Sequence, residues 1–357
     1  MNKDRRTVAL LFGGVGRERE VSISAAPYIY SLIDKSKYKV IPLLIDGNGE
    51  FYSASWSSDG SLSVDSAPSH LYRMYGAGGV IIGGDFFPVD AAFPLLHGDR
   101  GEDGVIQGAL DALSIPFVGC DGYSGSLAMD KVYTKIIASH LGVPIARYLS
   151  AKIKLQTDRG TKTREPDEIL RLAESAESAV GYPMIIKPSR LGSSFGVSKA
   201  QSKEELISGI SQAAECGDGR VLIEECVDVA IEAEVGYYSA RGVTIITRPG
   251  GVVCRGVYDH SLKYEDTAGV ALYDELPLCG KISALIADYS DRLCDFLGLR
   301  HLSRIDFFIT RDDRVVFNEI NTMPGFTSSS LYPRLLMRAG ISPSSAVNAF
   351  IEDAISR

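Results

Sequence analysis

Hydrophobic and polar residues alternate with a period of two over residues 302–309. Ser303, Ile305, Phe307 and Ile309 fall on one side, Leu302, Arg304, Asp306 and Phe308 on the other, the pattern of a strand with one apolar face. Residues 315–321 alternate in the same way, and the polar residues 310–314 between them read as a hairpin turn. A loop centred on Asp312 and Asp313 puts Asp306 opposite Glu319 and Arg304 opposite Asn321. Like charges facing each other across a strand pair repel. The pair is therefore either a solvated surface feature or a site where a divalent cation reverses the sign of the interaction. Carboxylates and an amide oxygen are the hard ligands that magnesium takes, with phosphate oxygens completing its shell. Pro324-Gly325, directly after, predicts a tight bend able to bring backbone N–H groups close to a ligand.

Earlier in the chain, the apolar run 7–12 leads into Gly13-Gly14-Val15-Gly16 and then into the helical spacing Val21, Ala25, Ile29, Leu32. Strand, glycine turn and helix open a βαβ unit. Pro27 belongs in a first helical turn, which predicts regular helix from residues 22–24 onward and places Glu18 just ahead of it. A carboxylate there serves either as a cap or as a ligand group. Residues 39–45, 79–82, 91–96 and 115–118 read as strands, while 46–76 is polar and predicts no element. The loop 97–104, His-Gly-Asp-Arg-Gly-Glu-Asp-Gly, follows a buried strand, where open α/β sheets bind ligands. His97 in it is structural or functional.

A helix is predicted over 124–141, carrying Met129-Asp130-Lys131, and an amphipathic helix over 167–179. A strand then ends in Lys187, and the loop 189–196 leads into a strand at 197–199. This is no Walker P-loop. It is either a generic hairpin or a phosphate cradle built from glycines, hydroxyls, N–H groups and a lysine. Strands at 221–225 and 232–237 follow, and residues 256–267 are long enough for a lid that excludes water from a reactive intermediate. Helices over 281–297 and 342–355 complete the pattern.

Composition narrows the classes. A chain of 357 residues with 45% hydrophobic and 23% charged residues is an ordinary globular protein of two or three domains. A net charge of −8 without a basic run argues against nucleic-acid binding, so any phosphate it handles must meet locally placed cations. The six cysteines lack a C-x-x-C pair and read as buried thiols in a reducing compartment. No window approaches a membrane span and no signal peptide is evident, which predicts a cytoplasmic protein. Arg19 breaks the dinucleotide fingerprint that a nicotinamide oxidoreductase would need.

The motifs G-G-x-x-x-E-R-E-V-S at 13–22, L-H-G-x-x-G-E-D-G-x-x-Q-G at 96–108, M-D-K at 129–131, K-P-S-R-x-G-S-S-x-G-V at 187–197, K-Y at 263–264, R-x-D-F-F at 304–308 and N-E-I-N-T-x-P-G-F-T at 318–327 resemble those of the D-alanine–D-alanine ligase family, of the ATP-grasp superfamily. The match runs in order over nearly the whole chain. The resemblance implies a mixed α/β and α+β fold of three domains: an N-terminal parallel-sheet α/β domain over 1–122, a central ATP-grasp subdomain over 123–228, and a C-terminal subdomain over 229–357 with the metal site and the lid. It implies that ATP phosphorylates one D-alanine and that a second attacks the acyl phosphate, giving a dipeptide for peptidoglycan, ADP and phosphate.

Carried onto this chain, the resemblance assigns Lys131, Lys187, Ser194 and Lys263 to the ATP phosphates, and Glu224 and Glu232 to the adenine and ribose. Asp306, Glu319 and Asn321 would hold two magnesium ions, for which manganese substitutes. Arg304 and the Gly325 N–H would stabilise the tetrahedral oxyanion. Glu18, assisted by His97, would receive the first D-alanine ammonium, and Glu18, Ser193 and Tyr264 would form a hydrogen-bonded chain. Ser330 and Leu331 would receive the second D-alanine. A homodimer is implied by the resemblance alone.

The chain departs from the family at Gly16, where Ser is usual, at Leu191, where many members carry Glu, at residues 275–279, and at Glu225, where Lys often follows the Glu. The D-serine ligases of glycopeptide resistance share parts of the pattern, at 118–121 and 193–195. The lid pair Lys263-Tyr264 argues against D-lactate, and Leu331 offers no partner for a D-serine hydroxyl. His260 in the lid is read as facing solvent.

Overall fold

The computed structural model describes residues 5–57, 60–74, 76–154, 156–158, 161–163, 166–254 and 270–357. Its first sheet has seven strands. Arg6–Gly13 lies between Tyr38–Ile45 and Ala91–Leu95, parallel to both. These three runs are mostly buried and apolar, as strands covered on both faces are. Beyond Tyr38–Ile45 the sheet continues antiparallel through Phe51–Trp56, Leu62–Met74, Ala77–Ile82 and Asp85–Pro88. The stretch 46–76 thus holds two strands that the sequence pattern does not mark; in Leu62–Met74 most residues are exposed and no apolar face shows. Residues 115–118 join the opposite edge only through a bridge between Ala92 and Phe117.

The helix Arg19–Leu32 begins earlier than expected, with Pro27 inside it. The proline forfeits one backbone hydrogen bond. Burial of Ala25, Ala26 and Ile29 in the core shared with Leu10 and Phe12 offsets that loss. The single helix expected over 124–141 is two, Gly122–Met129 and Lys131–His140. Asp130 between them is extended, at φ −90° and ψ 105°, and its side chain accepts the Val132 N–H at 3.0 Å. Asp competes for backbone donors in this way and so starts helices better than it continues them.

The second sheet is antiparallel and four-stranded: Ser198–Ala200, Met184–Pro188, Arg220–Glu225 and Tyr148–Lys152, in that order. The helices Pro166–Ala179 and Lys203–Cys216 cover it over a core that includes Met184, Ile186, Ile210 and Val221. In the third sheet Val229–Ala240 runs between Gly250–Cys254 and His301–Thr310, with Val315–Asn321 beyond the latter. The helix Gly280–Leu297 packs on this sheet, whereas Pro343–Ile355 shares its core with Phe12 and Phe93 of the first.

Among the described residues no helix is long and apolar enough to cross a membrane. The reading of the cysteines as buried holds only in part. Cys120 and Cys294 are buried, Cys216 and Cys226 half-buried and Cys279 exposed, all five as free thiols. Cys279 immediately precedes the helix Gly280–Leu297, where the chain is solvated.

Candidate active site

In the C-terminal hairpin Asp306 pairs with Glu319 and Arg304 with Asn321, as the alternation predicts. The cause is subtler than a symmetric loop. Nearer the turn Phe307 pairs with Phe317 and Ile309 with Val315, and the register shifts by one after Asp306. Asn318 is the extra residue of a β-bulge. Without it Asp306 would face Asn318. On the neighbouring strand Glu234 stands beside Asp306, so three acids lie in a row across three strands. Arg304 holds Asp306 in a bidentate grip, with Nε and Nη2 each 2.7 Å from a carboxylate oxygen, and its Nε lies 3.1 Å from Glu234.

Cations face this row from the second sheet and the broken helix. Lys131 Nζ lies 3.0 Å from Glu319 and donates to the Leu191 carbonyl at 2.8 Å. Burial works against the charge of Glu319, yet Lys131, Lys187 and Arg304 prevail and bring its carboxyl down to about 2. Asp130 fixes the start of the helix that carries Lys131: besides capping Val132, it accepts from the Ser189 hydroxyl and lies 3.4 Å from Arg220. Lys187, at the end of its strand, pairs with buried Glu224 and reaches the bulge residue Asn318 at 3.4 Å. Glu224 also pairs with Lys135, which is 1% exposed. Burial opposes the Glu224 charge, and the two lysines still hold it below the usual carboxylate range.

The loop after Lys187 turns through Ser193 and Ser194, both left-handed at φ 48° and 57°, a backbone strain that clusters at functional sites. The turn aims the Ser193 hydroxyl at Glu18, to which it donates. Glu18 occupies the N-cap position of Arg19–Leu32, but its side chain makes no capping bond. Its carboxylate is wedged between two glycines. A Cβ on Gly98 would stand 2.4 Å from it, and one on Gly192 3.1 Å. The His97 ring is buried, and burial pushes it towards the neutral form against the pull of Glu18. Its Nε2 has no hydrogen-bond partner among the described residues. Outside this cluster, Arg17 stacks over the Phe195 ring at 5.4 Å.

A cavity of 560 Å³ opens between the second and third sheets. Lys131, Lys187, Ser193, Ser194, Glu224, Glu232, Arg304, Asp306 and Glu319 line it. Its apolar lining includes Ile185, Val197, Val227 and Phe308, which suits a flat base. Glu225 there is held by Arg147, at 3.0 Å from the backbone N–H and 2.8 Å from Nε. Asn321, Gly325, Ser330 and Leu331 lie beyond the cavity. A Cβ on Gly325 would meet Ser330 Oγ at 3.3 Å, and that hydroxyl accepts the Thr327 N–H at 3.0 Å. Leu331 is buried at the start of the helix Leu331–Arg338. Lys263, Tyr264 and His260 lie outside the described residues.

Residues 7–120 match the family description "D-ala D-ala ligase N-terminus" and residues 137–352 match "D-ala D-ala ligase C-terminus". The chain belongs to the D-alanine–D-alanine ligase family. It is 34% identical to the D-alanine–D-alanine ligase of Caldicellulosiruptor bescii, over 98% of this chain and 95% of that protein. D-alanyl-alanine synthetase A from Vibrio cholerae has a similar structure, with a TM-score of 0.83 at 27% identity, covering 100% of both chains. So does the VanG D-Ala:D-Ser ligase from Enterococcus faecalis, with a TM-score of 0.82 at 28% identity over 98% of this chain and 100% of that one. The family is one of ATP-dependent ligases, and the shared fold is the mixed α/β arrangement described above.

Sequence reasoning missed several residues of this cluster. Lys135 follows Lys131 by four residues on one helix face, a spacing that pointed inward with it. Glu234 continues the alternation that includes Glu232. Glu102, buried in the loop 97–104, accepts the Gly98 N–H at 2.8 Å and the Met323 N–H at 3.0 Å. No local signal marks that second bond.

Proposed function

We propose that this chain joins two D-alanines at the expense of ATP, giving D-alanyl-D-alanine, ADP and phosphate for peptidoglycan synthesis in the cytoplasm. The observation that carries the reading is the hydrogen bond from Ser193 to Glu18. It joins the loop beside the cavity to a carboxylate suited to an ammonium group, which a carboxylate–amine ligase for other substrates has no need of. The proposal includes the division at 1–122, 123–228 and 229–357, and the homodimer on the resemblance alone.

In this reading the nucleotide base lies against the apolar lining of the cavity and the phosphates near Lys131, Lys187 and Ser194, with Lys263 of the lid, while Glu224 and Glu232 meet the adenine and ribose. Asp306, Glu319 and Asn321 fit magnesium. They would hold it through hard oxygens on adjacent strands, with nucleotide oxygens supplying the remaining ligands. Bound there, the metal neutralises charge on the transferring phosphoryl group. Glu18 and His97 hold the ammonium of the first D-alanine, and the His97 Nε2, without a partner among the described residues, offers that end a polar atom. The carboxylate of this D-alanine attacks the terminal phosphorus of ATP and ADP leaves. The amine of the second D-alanine, held at Ser330 and Leu331, then attacks the acyl phosphate carbon. Arg304 and the Gly325 N–H take the oxyanion, Tyr264 completes the chain from Ser193, and phosphate departs.

Leu331 favours a methyl group over a hydroxymethyl, so D-alanine is the proposed second substrate. D-serine is the alternative, supported by the likeness to the VanG D-Ala:D-Ser ligase. An apolar site rejects an added hydroxyl only modestly, by about a hundredfold. Phosphate release with ATP, magnesium and D-alanine, alone or with D-serine or D-lactate, decides among them. Glu319→Ala is expected to abolish turnover with every pairing, whereas changes at Leu331 shift preference alone. Near-normal rates for Glu319→Ala would refute the metal assignment. No release with any pairing would point to another ligase or a binding module.

A further inference from the structure

The geometry points to Glu102 as a positioning residue of the ligation. Its carboxylate ties the Gly98 N–H, beside the Glu18 and His97 that take the first amino acid, to the Met323 N–H at the start of the turn carrying Gly325. It thereby sets the distance between the first substrate's carbonyl and its oxyanion donor. The inference rests on the proposed ligase reading.

Three observations support it. The loop folds back on itself, with the Gly101 and Glu102 N–H groups donating to the Gly98 carbonyl at 3.0 and 2.9 Å. This directs the Glu102 side chain onto the Gly98 N–H instead of into solvent. Second, its two oxygens are divided between the Gly98 N–H, four residues away, and the Met323 N–H, 221 residues away, so one group spans the junction between the first and third sheets. Third, the position is 7% exposed, where an acid is a poor choice for packing alone. Burial, with help from the Glu18 charge and against the two N–H bonds, pushes its carboxyl up to about 7. Asn321 Oδ1 also accepts from Met323 N–H at 3.0 Å. The same turn is thus tethered from both sides.

The chemistry of the clamp is specific. Two N–H groups need two acceptors, and a carboxylate supplies both. A glutamine of the same shape offers one acceptor and turns an N–H₂ against the other donor. Misplacement by about 1 Å in such an arrangement lowers rate on the order of a hundredfold.

The test compares the wild-type chain with Glu102→Gln at pH 7.5, by amide hydrogen exchange and by steady-state kinetics. Exchange is read on peptides covering 97–101 and 321–326 in the protein alone. Both segments are expected to be protected in the wild type and to lose protection together in Glu102→Gln, while the second sheet is unchanged. In kinetics kcat is expected to fall at least tenfold (about 1.4 kcal/mol), with the KM for ATP within twofold. A purely space-filling Glu102 would leave kcat at the wild-type value in this isosteric variant. Unaltered exchange in either segment, or a wild-type kcat, overturns the clamp. An equal loss in kcat and in ATP affinity overturns it too, since that marks general disruption. A wild-type chain that releases no phosphate with any amino acid pairing overturns the ligase reading instead, and the exchange result then still judges the clamp.

Discussion

Lys135 shows how far a buried charge can act without meeting a ligand. It is paired with Glu224, which Lys187 holds from the other side. Burial lowers the Lys135 ammonium from its ordinary range while Glu224 supports it. Lys135→Met removes one of two cations from a buried carboxylate and draws Glu224 fully onto Lys187. Breaking a buried pair costs about 3–5 kcal/mol, and the remaining lysine recovers part of it. The expected outcome is a loss of about 2 kcal/mol, seen as a melting midpoint lower by ~5 °C, with a raised KM for ATP. An unchanged midpoint would show that Lys187 alone satisfies Glu224. The groups proposed to meet ligands were legible in the sequence because their types and spacing are those the chemistry needs. Groups that hold those groups were not, since Glu102 and Met323, or Lys135 and Glu224, become neighbours only through the fold.

Among the elements, the hairpin was legible because its alternation is strict on both sides of the turn. The bulge at Asn318 was not, since an extra residue leaves the apolar sequence of 315–317 intact. The two errors in the naive picture, a turn centre half a residue off and an unrecognised insertion, cancel at Asp306 and Glu319. The helix break at Asp130 was hidden in the same way, because the apolar pattern continues across it. That break positions Lys131, whose own N–H donates to the Ser189 carbonyl at 2.9 Å. Asp130→Ala removes the cap, worth about 1 kcal/mol, and leaves the Ser189 hydroxyl and Arg220 without their partner, for a total of ~2–3 kcal/mol. Nucleotide affinity should fall alongside stability, and equilibrium binding of a fluorescent nucleotide measures it. Stability lost with affinity intact would mean that Lys131 is placed by Ser189 and Leu191 alone.

At the scale of the whole molecule, two buried groups at the junction between the first and third sheets titrate against each other. His301 accepts the Gly119 N–H at Nδ1, 2.8 Å away, and its Nε2 lies 3.2 Å from Asp353. It must be neutral to accept. Burial, with Asp353 resisting and Arg357 and Arg300 adding a little, lowers it from 6.5 to about 4. A depressed histidine contributes stability that is present above 6.5 and lost as pH falls towards 4. Glu102, facing Glu18 and Lys131, is raised from 4.5 to about 7, so its contribution has the opposite sense and grows as pH falls from 7 to 4.5. Each shift is worth on the order of 3 kcal/mol. Between pH 6.5 and 5 they are expected to cancel, leaving stability nearly flat. Glu102→Gln should make the chain less stable on acidification through this window, and His301→Gln more stable. Urea midpoints at pH 7.5 and 5 measure both slopes, and equal slopes in the two variants would contradict the account. The central parallel strands of the first sheet were readable from apolar runs, whereas Phe51–Trp56 and Leu62–Met74 were not, the latter because most of its residues are exposed.

The carboxylate of Glu18 is enclosed by two residues that have nothing to withdraw. Even one methyl at Gly98 or Gly192 would press on it, so alanine at either position injures the acid from outside. The acid is thus held as much by what its neighbours lack as by what they carry, and two absent side chains set the room around it.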